Sequence, residues 1–160
     1  QQRLDAAERA YLSSLSWAEA SGRPLEPPQI NLALVRIRQQ RFSEAHQMLE
    51  EVRQQMHQLG ERFVSWHCQA FMLSALAGMG DWAGFDHNLA AVLAEEDGQK
   101  HINEDIAEEA ALAGEYALQA GHTQRALAAW RLSRAHWAGL QRQQRIDAIT
   151  LQIQALEDAS

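Results

Sequence analysis

With 160 residues, 46% of them hydrophobic and 22% charged, the chain is long enough to bury about 70% of its unfolded surface as one domain, without disulfide or metal staples. A net charge of −7 argues against direct nucleic-acid binding, which calls for a basic face. The lone Cys68 excludes an internal disulfide and suits a reducing, cytoplasmic setting; no apolar run approaches the ~20 residues of a membrane span.

Alanine, leucine, glutamine, glutamate and arginine dominate, which favours helix over strand. Residues 2–20 place Leu4, Ala7, Tyr11, Leu15 and Ala18 at three- and four-residue steps, and Ser21-Gly22-Arg23-Pro24 ends that helix. Pro27-Pro28 opens a shorter helix to about Gln40, and Ser43 is expected to cap the next, which carries Ala45, Leu49, Val52 and Met56 up to Gly60. From Glu61 to Met79 the chain is apolar on most sides and is predicted to lie between neighbours. Gly80-Asp81 makes a turn with Asp81 as cap, followed by the stripe Trp82, Phe85, Leu89 and Val92 and a break at Gly98. An acidic helix runs from about Ile102 to Ala120, and a helix capped by Thr123 continues to Ala138. Gly139 breaks it, and a last helix reaches about Asp158.

Glycines at 22, 60, 98 and 139 step by 38, 38 and 41 residues, and the expected caps Ser43, Asp81 and Thr123 step by 38 and 42. In the most legible stretch, Ala126, Trp130 and Ser133 share one face. The small residues let a second helix approach while Trp130 fills the groove beside it. A two-helix unit near forty residues predicts an all-α helical-hairpin repeat solenoid of about eight helices. Residues 1–22 are a partial repeat, 23–60, 61–98 and 99–139 are two-helix repeats, and 140–160 is a terminal helix. A chain that opens on Gln1 reads as a piece of a longer protein.

Gly114, Ala117, Gly121, Ala126 and Trp130, with the turn Gly80-Asp81-Trp82, resemble the tetratricopeptide repeat family, whose small residues, turn glycine and closing bulky residue fall at these places. The period exceeds that family's ~34 residues, Phe85 stands at a small-residue position, and no proline closes each unit. These departures resemble the long-helix repeats of MalT-type transcription activators. HEAT-like arrays share the period. The resemblance implies a right-handed superhelix whose first helices line a concave groove for a peptide or protein.

Counted on that register, the groove candidates are Arg38 on the first unit and His67, Ala70 and Ser74 on the second. Glu108, Ala111, Glu115 and Gln119 follow on the third. The acids Glu95, Glu96, Asp97, Glu104, Asp105, Glu108, Glu109 and Glu115 face only Lys100 in their stretch. They read as a solvated helix face or as a patch for a basic partner. Arg125, Arg131, Arg134, Arg142 and Arg145 are the counterweight, available to pair with the acids across the stack or with an acidic partner. The tryptophans at 17, 66, 82, 130 and 137 read as core anchors, with Trp82 and Trp137 the exceptions nearest helix ends.

His67 and Cys68 are adjacent and point to different faces. No His-Glu-x-x-His or Cys-x-x-Cys spacing occurs, so no metal or cofactor is expected. Neither a nucleophile elbow nor a phosphate loop is visible, and no enzyme is expected. The reading is a non-catalytic protein-interaction module of a bacterial signalling or transcriptional regulator. The alternatives are a spacer or self-association element that dimerises through an uncapped repeat end, and a small-molecule sensor with a pocket among Trp66, Phe71, Trp82 and Phe85.

Overall fold

A computed structural model describes residues 2–96 and 102–158; the expected break at Gly98, with Asp97 and Lys100, lies outside them. Among the described residues the chain forms eight α-helices and no strand. They are α1 (Gln2–Ala20), α2 (Glu26–Arg38), α3 (Phe42–Gln58), α4 (Arg62–Met79), α5 (Trp82–Glu96), α6 (Glu104–Gln119), α7 (Thr123–Gly139) and α8 (Gln143–Asp158).

The helix ends show how local chemistry sets the boundaries. The prolines stand in the first turn of α2, where a missing N–H removes no helical bond. Gly80 adopts φ 73°, which lets the Gly80 and Asp81 amides donate to the Ala77 and Leu76 carbonyls and close α4. Asp81 then caps α5, its Oδ1 accepting from the Gly84 amide at 3.0 Å. Ser43 and Thr123 are not caps. Helix α3 starts at Phe42 and α7 at Thr123, with Arg41 and His122 at the cap positions and no side-chain cap bond. Asn103 caps α6 instead, accepting from the Ile106 amide at 3.1 Å.

Helix α4 is the centre of the molecule. It packs against α3, α5 and α6, and from Ser65 to Ala77 every residue but Gln69 is buried. Trp66 anchors α5 by donating its indole N–H to the Val92 carbonyl at 3.2 Å. Helices α2 and α3 pair on one side of α4, and α6, α7 and α8 follow on the other. Ala126, Trp130 and Ser133 are all buried, and Trp130 and Ser133 meet α6. Ser133 donates to the Ala107 carbonyl at 2.7 Å and Trp130 to that of Ala111 at 3.2 Å.

The outer helices are thinly packed. Helix α1 lies on α2 and buries only Ala18, so Trp17 is 57% exposed rather than a core anchor, with the Arg23 guanidinium 5.0 Å from its ring centre. Trp137, expected near the surface, is buried. None of the described helices is long and apolar enough to cross a membrane.

Cys68 sits fully buried on α4, and burial pushes its thiol up to about 12. Since the thiolate is the nucleophile, we expect a thiol-specific disulfide reagent to leave the native protein unlabelled at neutral pH and to label it fully in denaturant. Rapid labelling of the native protein would contradict this packing.

Candidate functional site

The apolar stripe of α6 is Ile106, Ala110, Ala113 and Ala117, and Glu109 falls on the same face, one turn from Ile106 and from Ala113. Its side chain is therefore carried into the core, where it is 1% exposed. Two neighbours answer it. Ser74 on α4, fully buried, donates its one hydroxyl hydrogen to a carboxylate oxygen, with the Phe71 carbonyl 3.1 Å away as the alternative acceptor. Arg38, at the end of α2, sets Nη1 2.5 Å from the other oxygen. Burial pushes the Glu109 carboxyl up, and the Arg38 guanidinium and the Ser74 hydroxyl pull it back. One polar junction thus joins α2, α4 and α6.

Around that junction the charge continues outward. Arg38 Nη2 lies 3.5 Å from Glu108, and Arg145 on α8 reaches the same carboxylate at 3.8 Å. Three of the residues placed in a groove by sequence, Arg38, Ser74 and Glu108, are therefore brought together, Arg38 by ion pairs to Glu108 and Glu109 and Ser74 by its hydrogen bond to Glu109. Glu109 is thus part of neither a solvated acidic face nor a patch for a basic partner. Its place on the α6 stripe was the signal for its burial.

His67 stands apart from this cluster. It is buried, its Nδ1 is 2.8 Å from the Phe63 carbonyl, and its ring meets the Phe63 ring edge-on at 4.1 Å. Ala70 is likewise core, and Ala111 is partly buried. Glu115 and Gln119 are exposed and border a groove of about 390 Å³ between α6 and α8, completed by Leu118, Trp130 and Leu156. Leu118 is 38% exposed, and no ion pair engages Glu115 among the described residues.

A second depression, of about 510 Å³, lies where the turns after α2, α4 and α6 meet. Gln40, Gly80 and Ala120 border it together with the rings of Phe42, Trp82 and Tyr116. Phe42 and Tyr116 meet edge-to-face at 5.3 Å, and Phe42 lies so close over Gly78 that a Cβ there would stand 2.6 Å from the ring. Of the four aromatics proposed for a sensor pocket, Trp66, Phe71 and Phe85 are buried in the core, and Trp82 is the partly exposed one.

The basic stretch pairs piecemeal. Arg125 forks onto Asp86 at 2.7 and 2.8 Å, holding that carboxyl below its usual range, and Arg131 meets Glu157 at 2.6 Å. No group of three or more metal-ligating side chains occurs among the described residues. Comparison of the chain with protein-family models, with curated proteins and with solved structures gave no match.

Proposed function

We propose that this chain is a non-catalytic protein-interaction module, a tetratricopeptide-like stack of helical hairpins that binds a peptide or protein segment. In this reading it serves a cytoplasmic bacterial regulator. The observation that carries it is the shared turn edge: Gln40, Gly80 and Ala120, each at the end of an even-numbered helix and about forty residues apart, border one depression. Equivalent turns of stacked hairpins would meet in that way. The left-handed residues agree with it, since Gln40, Gly80 and Gly121 fall after α2, α4 and α6 while Gly22 and Gly60 fall after α1 and α3.

Within this reading the groove between α6 and α8 takes an apolar segment carrying a basic residue. Leu118 and Leu156 supply the apolar walls, and Glu115 is the charge left open. Glu108 is a poor place to test the idea, because Arg38 and Arg145 already hold it. Glu115→Arg is the cleaner variant.

The test is capture from a lysate of the source organism on immobilised wild type and on E115R, each first shown to melt alike. A protein retained by the wild type and depleted several-fold on the variant supports the module and its groove. Equal retention on both columns removes the groove. Recovery of the parent protein alone moves the weight to self-association, for which the exposed Leu12 and Trp17 of α1 are the available surface.

A further inference from the structure

We infer that the depression at the turn edge is a binding site for an arginine side chain of the bound peptide, a recognition element separate from the α6–α8 groove. Three features meet there. The first is aromatic: Phe42, Trp82 and Tyr116 line it, two of them at the near-perpendicular setting that gives one concavity a ring face and a ring edge. The second is the carbonyl ends of helices. Met79 and Gln119 end α4 and α6 at this depression, and neither carbonyl accepts a backbone hydrogen bond from the turn that follows.

The third feature is charge. A helix C-terminus carries about half a negative charge, which a cation near the last turn stabilises. Helix α2 has Arg36 and Arg38 there, whereas α4 and α6 have none. No lysine or arginine is among the described residues that border the depression; Arg125 and His122 lie against Trp82 at 5.6 and 4.2 Å from its ring, so the Phe42 and Tyr116 rings and two helix ends without a basic residue in their last turn are what face the space. A guanidinium answers all three. Its flat face stacks on rings, its charge suits the helix ends, and its donors reach free carbonyls, which an ammonium matches less well.

The fold already uses this chemistry internally. Arg23 lies over Trp17 at 5.0 Å, Arg145 over Trp137 at 5.3 Å, and Arg125 over Trp82 at 5.6 Å. Arg125 is held by Asp86 and His122, which border the neighbouring depression along with it.

The inference rests on the peptide-binding reading but is tested without the natural partner. The 15N-labelled full chain is titrated at low salt with acetyl-Gly-Arg-Gly-amide and with the matching citrulline peptide, which keeps the shape and loses the charge. The expected result is movement of the Trp82 indole N–H and the Gly80, Ala120 and Gly121 amides, with the arginine peptide binding about fivefold tighter or more. Trp82→Leu should abolish those shifts, with the rest of its spectrum superimposing on the wild type. Equal response to citrulline, no response at the turn edge, or shifts confined to the α6–α8 groove would overturn the assignment. Retention of a partner through Glu115 in the face of that outcome would leave the module reading standing and remove only the arginine site.

Discussion

Gly114→Ala is expected to destabilise the protein by about 2–3 kcal/mol, lowering the thermal midpoint by roughly 4–10 °C. Helix propensity alone points the other way, since alanine is favoured over glycine inside a helix by up to ~1 kcal/mol. Packing decides the sign. A Cβ at Gly114 would stand 2.3 Å from both Cδ1 and Nε1 of Trp130, well inside contact distance. The indole has little freedom to retreat, because it is 3% exposed and tied to the Ala111 carbonyl of the same helix that would push it. Trp130→Leu should be destabilising in the wild type and less so in the Gly114→Ala background, giving a coupling in a double-mutant cycle measured by thermal melts. An unchanged or raised midpoint for Gly114→Ala alone would show that α6 and α7 are farther apart than described.

The second large effect lies at the junction of α2, α4 and α6. Arg38→Met removes the cation that answers a buried carboxylate and should cost about 3 kcal/mol at neutral pH, the lower end for breaking a buried pair because Arg38 is itself 33% exposed. The pH dependence identifies the cause. Burial raises the Glu109 carboxyl above its unfolded value of 4.5, so the folded protein takes up that proton more readily than the unfolded chain does. The stability tied to this group is fully present below the unfolded value and is lost as pH rises through the folded one. Without Arg38 the folded value climbs further, so the loss deepens at neutral pH and recovers on acidification toward the ordinary carboxylate range. Urea unfolding of wild type and variant at neutral and mildly acidic pH reads this directly. Arg38→Met combined with Glu109→Gln should regain much of the lost stability, since the amide can still meet Ser74. The same loss at both pH values, or a double variant as damaged as the sum of the two single ones, would assign Arg38 a packing role only.

These two sites show what the sequence made legible and what it hid. Ala126, Trp130 and Ser133 announce a packing face through spacing, because small and bulky residues one turn apart have few other uses on a helix face; Gly114 is marked only by the family resemblance, and its contact with Trp130 comes from the structure. The helix limits were equally readable, since glycines and prolines mark most of them; Gly80 closes α4 because its φ of 73° is open to glycine without strain. Helix α7 does end at Gly139, within one residue of the expected break, but Gly139 is not the residue that turns the chain: Ile102 packs 2.4 Å from where its Cβ would be, and the left-handed residue is Gln141 with φ 57°. A glycine kept for close approach reads the same in sequence as a glycine kept for a turn.

Glu109 was hidden by its neighbours. Amid Glu104, Asp105 and Glu108 it reads as one more solvated acid, and only its phase relative to Ile106 and Ala113 separates it from them. Its partners lie 35 and 71 residues upstream, at Ser74 and Arg38, a separation that no local pattern reports. Arg38, Ser74 and Glu108 were picked out from a register borrowed from a family resemblance, and what they do here is hold one another and Glu109.

In the proposed function the open face of α6 and α8, rather than the ion-paired junction of α2, α4 and α6, meets the partner. This placement is tested most directly by the dissociation constant of the captured partner for the wild type and for Glu115→Arg, measured by calorimetry at low and at physiological salt. The variant is expected to bind roughly three- to tenfold more weakly at low salt, with the gap narrowing as salt rises. Equal dissociation constants for the two proteins at low salt would contradict it.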